Sequence, residues 1–239
     1  MLRLEVVAIP MYLSSKIQLM AGNNKFSEMH ALKPLVPFDD SVIRFLDELS
    51  GLLIKHPQGR DFPEIITFGF YVRKSSITRL KRSYEDLKSN VGRGVSFHIA
   101  PSNVPINFAY SLLVGLLSGN ACIVRLSSKE LTLTNILCDI LSTLLDMPKF
   151  SELKEYVSLI KYEQDTEINS FFSSICDLRI IWGGDNTVKE LRKSPLPPRS
   201  FDITFADRYS FCLIRAAEYL NIKDKRKMAF NFYNDTYLF

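Results

Sequence analysis

Short apolar runs alternate with amphipathic stretches along the chain from about residue 93 onward. The runs have the length of buried strands, and the stretches between them repeat apolar residues every three or four positions, as helices do. The predicted strands are Arg93 to Ile99, Ala121 to Leu126, Tyr156 to Lys161, Leu178 to Trp182, Asp202 to Phe205 and Ser210 to Ile214. The predicted helices are Val104 to Ser118, Leu133 to Leu144, Thr166 to Ser174, Asn186 to Arg192 and Asp224 to Phe232.

This alternation predicts a doubly wound, mostly parallel α/β sheet of about five strands. Parallel strands need crossover connections, and the helices between successive strands supply them. Ligands of such sheets bind beyond the carboxyl ends of the strands. Function is therefore expected in the loops Ala100–Pro105, Ser127–Glu130 and Gly183–Asp185, which should line one cleft.

The first 90 residues form a mainly helical lead-in. Asp39 and Asp40 are typical caps for a helix with an apolar face made of Val42, Phe45, Leu46, Leu49, Leu52 and Leu53. A second helical stretch after Pro63 carries Ile77, Leu80, Tyr84 and Leu87 on one face. Residues 1–10 predict a strand rather than a signal peptide, since Glu5 comes early and no cleavage pattern follows. We expect residues 1–90 to pack on an α/β domain of residues 91–239.

Composition excludes several function classes. The chain has 239 residues, of which 46% are hydrophobic, enough for a core in one large domain or two small ones. Lys plus Arg number 30 and Asp plus Glu 26, for a net charge of +4. Nucleic-acid binding would depend on two short basic stretches, residues 79–82 and 223–227, and is not expected. No apolar run reaches the 18 residues of a membrane span.

Cysteine and histidine usage indicates a cytoplasmic protein without a metal site. Cys122, Cys138, Cys176 and Cys212 lie in apolar runs and show no C-x-x-C spacing. They are expected to be buried, reduced thiols, with Cys122 and Cys212 on strands and Cys138 on the apolar face of a helix. The three histidines are scattered along the sequence, which disfavours a His/Cys metal centre.

The segment from Gly92 to Pro105 ends a predicted strand in a Pro-x-Asn-x-Pro turn. Pro101 and Pro105 restrict the backbone on either side of Ser102 and Asn103, at the carboxyl end of the strand. An asparagine there can direct its amide into a cleft and stabilise an oxyanion. The alternative is that Asn103 caps the helix that follows.

Arg125 lies at the far end of a second predicted strand, just before two hydroxyl side chains. Arg125, Ser127 and Ser128 emerge together from the strand that begins at Ala121. An arginine and hydroxyls suit the ribose of an adenosine or its phosphate. The alternative is that Arg125 forms an ion pair at the surface.

A pair of glycines follows a third predicted strand. Trp182 ends the strand, and Gly183 and Gly184 open the next helix. Glycines allow the backbone to approach a pyrophosphate, which a helix N-terminus attracts. A plain tight turn explains the pair equally well.

Taken together and in this order, the three segments resemble the LuxC family, the acyl-CoA reductases of the bacterial luciferase system, which are relatives of the aldehyde dehydrogenases. The shared motifs are His98-Ile-Ala-Pro-Ser-Asn-Val-Pro105, Leu116 to Ser128, and Ile181-Trp-Gly-Gly-Asp185. Residues 232–239 resemble the stretch before the family's catalytic cysteine. The resemblance covers about residues 60 to 239. It implies an aldehyde dehydrogenase-like, Rossmann-like nucleotide-binding domain.

The resemblance implies an activity, a cofactor and roles for individual residues. The family reduces a fatty acyl thioester to an aldehyde through a cysteine acyl-enzyme, with hydride from a nicotinamide. Asn103 matches the oxyanion-holding asparagine, and the other matched positions bind cofactor: Pro101, Ser102, Arg125, Ser127, Ser128, Trp182, Gly183 and Gly184. NAD-preferring dehydrogenases carry a glutamate where this chain has Ser128, so NADPH is the expected cofactor.

This chain also departs from the pattern of the family. It ends at Phe239, before the segment that holds the family's nucleophile, and we expect it to be inactive as a reductase by itself. Phe205 stands where hydrolysing dehydrogenases have a glutamate base, although a shifted alignment would bring in Asp207. The resemblance further implies an acyl-CoA or acyl-protein substrate, an acyl-protein synthetase partner and a homo-oligomer at full length. The alternative is a non-catalytic module that binds a nucleotide or docks a partner.

Overall fold

The computed structural model describes residues 8–84 and 87–237, which form two compact units. The first unit ends at Asp207 and contains a six-stranded sheet. The second unit begins at Arg208, and its helices are Ala216–Asn221 and Lys225–Tyr237. Among the described residues, no helix is both long and apolar enough to cross a membrane.

The sheet is doubly wound and mostly parallel, as predicted. Its strands are β1 (Gln18–Gly22), β2 (Val95–Ile99), β3 (Ala121–Arg125), β4 (Val157–Lys161), β5 (Leu178–Trp182) and β6 (Phe201–Phe205), in the order β1-β4-β3-β2-β5-β6. All pairings are parallel except that of β1 with β4. The chain runs outward from β2 to β4, crosses back to β5 and continues to β6. The topological switch point therefore lies between β2 and β5, where such sheets bind ligands.

Helices cover both faces of this sheet in the first unit. They are α1 (Met11–Ser14), α2 (Asp40–Ile54), α3 (Pro63–Val72), α4 (Lys74–Lys81), α5 (Asn107–Leu117), α6 (Thr132–Leu145), α7 (Ser151–Lys154), α8 (Thr166–Ile175) and α9 (Asp185–Leu191). Cys122 and Val124 of β3 belong to one apolar cluster with α2, α3, α5 and α6, whereas Ala121 and Ile123 belong to a second with α8 and α9. Because successive side chains of a strand point to opposite faces of the sheet, β3 contributes residues to both cores.

In the lead-in, two predicted elements differ from the structure and one strand was not predicted. Asp39 does cap α2, since its carboxylate accepts a hydrogen bond from Ser41 N at 2.8 Å. The single helix expected after Pro63 is wrong, because the backbone is extended at Arg73 and divides the stretch into α3 and α4, with Tyr84 beyond the end. Strand β1 was not predicted. The strand predicted for residues 1–10 falls largely outside the described residues, and Ala8 to Pro10 form no strand.

The strand predicted from Ser210 to Ile214 is absent, and the burial predicted for Cys212 is wrong as well. These residues form neither strand nor helix, and their apolar side chains are exposed. Cys212 is therefore exposed rather than buried, because no strand among the described residues of its unit provides a pairing edge or a core. The other cysteines, Cys122, Cys138 and Cys176, are buried as predicted, and burial raises the pKa of each thiol to about 12.

A capping carboxylate starts α8, the helix behind the carboxyl end of β4. Asp165 accepts hydrogen bonds from Glu167 N at 2.9 Å and Ile168 N at 3.2 Å, and it pairs with Lys16 at 2.8 Å. We expect Asp165→Ala to lower the free energy of unfolding by about 1 kcal/mol, as typical for loss of an N-cap. Asp165→Asn keeps the capping oxygen and should retain most of the stability; chemical denaturation of the two variants decides this. Equal losses would mean that the Lys16 ion pair, and not the cap, stabilises this end.

Candidate functional site

The loops after β2, β3 and β5 line one cavity of about 990 Å³ at the switch point. The cavity brings together every site residue predicted from the sequence: Pro101, Ser102, Asn103, Arg125, Ser127, Ser128, Trp182, Gly183 and Gly184. They meet because the carboxyl ends of parallel strands lie at the same edge of the sheet. The volume is that of a typical small-molecule or cofactor site.

Asn103 lies in the loop after β2 with its side chain exposed in the cavity lining. It does not cap the following helix: α5 begins at Asn107, its N-cap is Ile106, and no side chain caps it. Within the described part of the chain, the Asn103 amide makes no hydrogen bond. The structure thus excludes the capping alternative and leaves an amide donor facing the cavity.

Arg125 is held over an aromatic ring rather than by a carboxylate. Its guanidinium carbon lies 4.6 Å from the centre of the Tyr162 ring, and Nη2 donates to Tyr162 O at 3.4 Å. The buried Nε has no hydrogen-bond partner among the described residues, and no carboxylate there pairs with the side chain. Arg125 therefore presents an uncompensated positive charge to the cavity, and its expected alternative as a surface ion-pair partner does not hold.

The serines of the same loop contribute hydroxyls. Ser127 Oγ accepts a hydrogen bond from Lys129 N at 3.2 Å, which stabilises the turn after β3. Ser127 and Ser128 are both half-buried in the lining of the cavity. Ser128 brings a neutral hydroxyl close to the cationic end of the cavity.

Trp182 and Phe205 form an aromatic wall at the end of β5. Their ring centres are 3.8 Å apart and the planes differ by 8°, a close stacked pair. Gly183 N donates to Phe205 O at 3.2 Å, which holds β6 against the turn. The position that the sequence analysis compared with a glutamate base is thus occupied by a ring packed on Trp182.

The start of α9 already has a carboxylate beside it. Asp207 accepts a hydrogen bond from Asp185 N at 3.1 Å, and a Cβ on Gly184 would lie 3.0 Å from the Asp207 carboxylate oxygens. The glycine pair in the sequence predicts that this helix start attracts a pyrophosphate. An anion bound here has to lie beside Asp207 or displace it, so the glycines by themselves do not make an anion site.

A buried polar network lies directly behind the aromatic wall and was not predicted from the sequence. His98 on β2 is fully buried; its Nδ1 lies 2.8 Å from Ser111 Oγ, and its Nε2 lies 2.8 Å from Ser96 Oγ. Trp182 Nε1 donates to the same Ser111 Oγ at 3.1 Å. Burial lowers the pKa of His98 to about 3, so the ring is neutral at physiological pH. One sequence feature could have indicated this network: Ser96 and His98 are two residues apart on a predicted strand, which places them on the same face of the sheet.

A second wall of the cavity is formed by α8, α9 and their flanking turns. It was not predicted from the sequence. Its polar residues are Gln164, Thr166, Asn169, Asn186, Thr187, Glu190, Lys193 and Ser194. Asn169 is buried and accepts a hydrogen bond from the Tyr162 hydroxyl at 2.8 Å. The signal was the spacing of three and four residues along each helix, which places these side chains on one face.

The curated proteins similar to this chain include long-chain acyl-protein thioester reductases from two bacteria. The chain is 28% identical over 126 residues to a long-chain acyl-protein thioester reductase of Aliivibrio fischeri, a match that covers 52% of this chain and 26% of that protein. A reductase of the same name from Photorhabdus laumondii is 26% identical over 124 residues, covering 51% and 25%. The chain thus spans about a quarter of the length of the curated relatives it matches.

The comparison with solved structures includes an NAD-dependent benzaldehyde dehydrogenase from Corynebacterium glutamicum, 18% identical, with a TM-score of 0.48, covering 76% of this chain and 43% of that one. Residues 70–234 match the model of a family described as acyl-CoA reductase (LuxC). That range contains the three motifs on which the resemblance was based, and it is well over half of the sequence. This chain belongs to the LuxC family of acyl-CoA reductases.

Proposed function

We propose that this chain binds NADPH in the cavity and forms the cofactor-binding part of an enzyme that reduces a long-chain acyl thioester to an aldehyde. The observation that carries the proposal is the convergence of Asn103, Arg125 and the Trp182 turn in one cavity at the switch point. Membership of the LuxC family and the names of the relatives supply the reaction class. The division into a helical segment of residues 1–90 and a cofactor-binding domain of residues 91–239 is part of this proposal, and so is the role of each residue.

Arg125 and Ser128 would bind the adenosine end of the cofactor. Arg125 has a buried Nε without a partner in the part of the chain that the structure describes, and Ser128 places no carboxylate beside it. A 2′-phosphate carries close to two negative charges and supplies the acceptors that this guanidinium lacks. The absence of a carboxylate at residue 128 favours the phosphate over two free ribose hydroxyls, and therefore NADPH over NADH.

Asn103 and the aromatic wall would serve the reacting end. NADPH supplies a hydride when it is bound. In the proposed reaction a cysteine thiolate would add to the acyl carbonyl and the thiolate of the acyl carrier would leave, giving an acyl-enzyme. Reduction of that acyl carbon, with cleavage of its bond to the cysteine sulfur, would release the aldehyde and restore the cysteine thiolate. Asn103 would donate its amide N–H to the carbonyl oxygen as negative charge develops there. The stacked Trp182–Phe205 pair would form an apolar wall at that end of the cavity.

The attacking thiolate is not one of the buried cysteines. The raised pKa of Cys122, Cys138 and Cys176 keeps each as a neutral thiol, and none of them lines the cavity. The resemblance places the nucleophile beyond the family's equivalent of residues 232–239. We therefore propose that the present chain supplies the cofactor site and the oxyanion donor, and that another segment supplies the thiolate.

The names of the relatives and the family resemblance support a proposal for the substrate and partners of the whole enzyme. Their name points to an acyl group carried on a protein thioester, and the family description points to acyl-CoA. We propose that either carrier delivers the acyl group, that an acyl-protein synthetase is a partner, and that the full-length enzyme is a cytoplasmic homo-oligomer. The buried, reduced thiols suit a reducing compartment.

Titration with NADPH tests the proposed site directly. Trp182 is the single tryptophan of the sequence, so its fluorescence reports on this cavity alone. NADPH should change that fluorescence saturably, with about one equivalent bound by calorimetry. Ser102→Phe adds bulk to an exposed position in the lining and should abolish both signals. Ser118→Phe, at the exposed C-cap of α5, is the control and should bind as the parent chain does. Absence of heat and of a fluorescence change in the parent chain would overturn the proposal.

A further inference from the structure

We propose that His98 is a positioning residue that orients the Trp182 indole through Ser111. His98 does not line the cavity, so it acts at one remove from any ligand. The contacts form an unbroken line from Trp182 Nε1 to Ser111 Oγ (3.1 Å), to His98 Nδ1 (2.8 Å), and from His98 Nε2 to Ser96 Oγ (2.8 Å) and on to Ala121 O (3.1 Å). The proposal concerns the chain without a bound ligand and does not rest on the proposed function.

The two ends of this line determine the direction of its hydrogen bonds. The Trp182 indole N–H can only donate, so Ser111 Oγ accepts from it. The Ser96 hydroxyl has two acceptors within reach, Ala121 O at 3.1 Å and Cys122 Sγ at 3.4 Å, and the carbonyl oxygen is the stronger of the two, so the Ser96 proton points toward Ala121 O. Each serine hydroxyl has one proton, and Ser96 has none left for His98. The His98 ring must therefore donate to Ser96.

The neutral imidazole then has one possible tautomer. His98 carries its proton on Nε2 and donates it to Ser96 Oγ, which leaves Nδ1 as an acceptor for the Ser111 hydroxyl. In this arrangement every contact along the line has one proton. The opposite tautomer would leave the Ser111 proton without an acceptor among the described residues and would remove the proton from the Ser96–Ala121 contact. Ser96, His98 and Ser111 are buried, where an unpaired donor is costly.

The line joins the two strands that flank the switch point. Ser96 and His98 lie on β2, Ser111 lies on α5, and Trp182 ends β5. The helix lies directly over the imidazole at Gly115, where a Cβ would approach His98 Cε1 and Nε2 to 3.0 Å. The ring is therefore enclosed and cannot reorient freely. It holds Ser111, and Ser111 holds the indole in the plane that stacks on Phe205.

The tautomer can be measured on the unmodified chain. Nitrogen-15 NMR of the imidazole at neutral pH should show His98 Nε2 protonated and Nδ1 unprotonated. This measurement needs no variant and does not depend on cofactor binding. A protonated Nδ1 would reverse the direction of the line and overturn the proposal.

The indole N–H of the single tryptophan reports the effect on Trp182. We expect Ser111→Ala to shift this resonance upfield and to accelerate its exchange with solvent roughly three- to tenfold, the loss of one hydrogen bond. Ser118→Ala removes a hydroxyl from the same helix that bonds only Val114 O, and it should leave the resonance unchanged. An unchanged indole resonance in Ser111→Ala would overturn the proposal.

Two substitutions of His98 separate positioning from bulk. His98→Asn keeps an acceptor near the place of Nδ1 and should keep the indole resonance near that of the parent. His98→Leu keeps the volume, removes the acceptor and should reproduce the effect of Ser111→Ala. Equal behaviour of the Asn and Leu variants would mean that His98 only fills space. If the NMR results hold and NADPH does not bind the parent chain, the proposed function fails and the positioning role stands.

Discussion

Asp202→Ala is expected to lower the free energy of unfolding by about 3–5 kcal/mol, the largest loss we predict for a single substitution. Asp202 on β6 is the counter-charge of Arg179, which is 1% exposed on β5. The pair is bidentate, with Arg179 Nε 2.7 Å from Oδ1 and Nη2 3.2 Å from Oδ2. Without Asp202 the buried guanidinium keeps its charge and loses the only carboxylate that faces it in the described structure.

The remaining contacts of Arg179 explain why it cannot escape to water. Its Nη1 donates toward Ser173 Oγ at 2.8 Å, Leu191 O at 3.0 Å and Ser194 O at 2.9 Å. The guanidinium therefore connects β5 and β6 to the ends of α8 and α9, which form the second wall of the cavity. Loss of the Asp202 counter-charge should therefore destabilise this whole edge of the first unit.

Arg192→Ala is the matched control. Arg192 contacts the same carboxylate, with Nε 3.2 Å from Asp202 Oδ2, but its side chain is 56% exposed. Exposed pairs contribute little, so a loss below about 1 kcal/mol is expected. Urea denaturation followed by Trp182 fluorescence measures both variants, and an unchanged m-value keeps the comparison valid. Similar small losses in the two would show that Arg179 does not depend on Asp202.

Arg125→Ala and Ser128→Glu should each remove most of a preference for NADPH over NADH. A hydrogen bond from a charged arginine to a phosphate contributes about 1.5–3 kcal/mol. The preference of the parent chain should then be roughly ten- to a hundredfold in affinity, since 1.4 kcal/mol corresponds to a factor of ten. Arg125→Ala removes the cation that faces the cavity. Ser128→Glu repels the phosphate and offers an acceptor to the ribose hydroxyls.

Calorimetric titration with both cofactors checks this prediction, and Ser128→Ala is its control. The alanine variant loses the hydroxyl without adding charge, so the preference should persist. A change in Ser128→Glu that also appears in Ser128→Ala would assign the effect to the hydroxyl. Equal affinities of the parent chain for NADPH and NADH would mean that the adenosine end lies elsewhere in the cavity.

The convergence of the site loops was already implied by the sequence. Apolar runs of strand length between amphipathic helices require parallel strands, and parallel strands end at a common edge. Asn103, Arg125 and Gly183 each follow such a run, so their common cavity follows from local patterns alone. The ends of β5 were also predicted exactly as found, because Leu178–Trp182 is bounded by turn residues on both sides.

The elements at the periphery could not be predicted in this way. Strand β1 has two buried residues out of five, so it lacks the apolar run that marked the central strands. Ser210 to Ile214 has such a run and forms no strand, and the described residues of its own unit contain no other strand with which it could pair. Local composition indicates whether a segment favours the strand conformation, but not whether another strand lies beside it to pair with.

What the sequence alone determined was the fold class, the central strands and the clustering of the loops. Only the tertiary structure decided which polar side chains meet inside. Arg179 and Asp202 are 23 residues apart, and Ser111 and Trp182 are 71 apart. No spacing rule connects such pairs, since their distance depends on how β2, β5, β6 and α5 pack. Burial then gives these contacts their strength, because in the interior an unpaired charge or donor has no water to replace its partner.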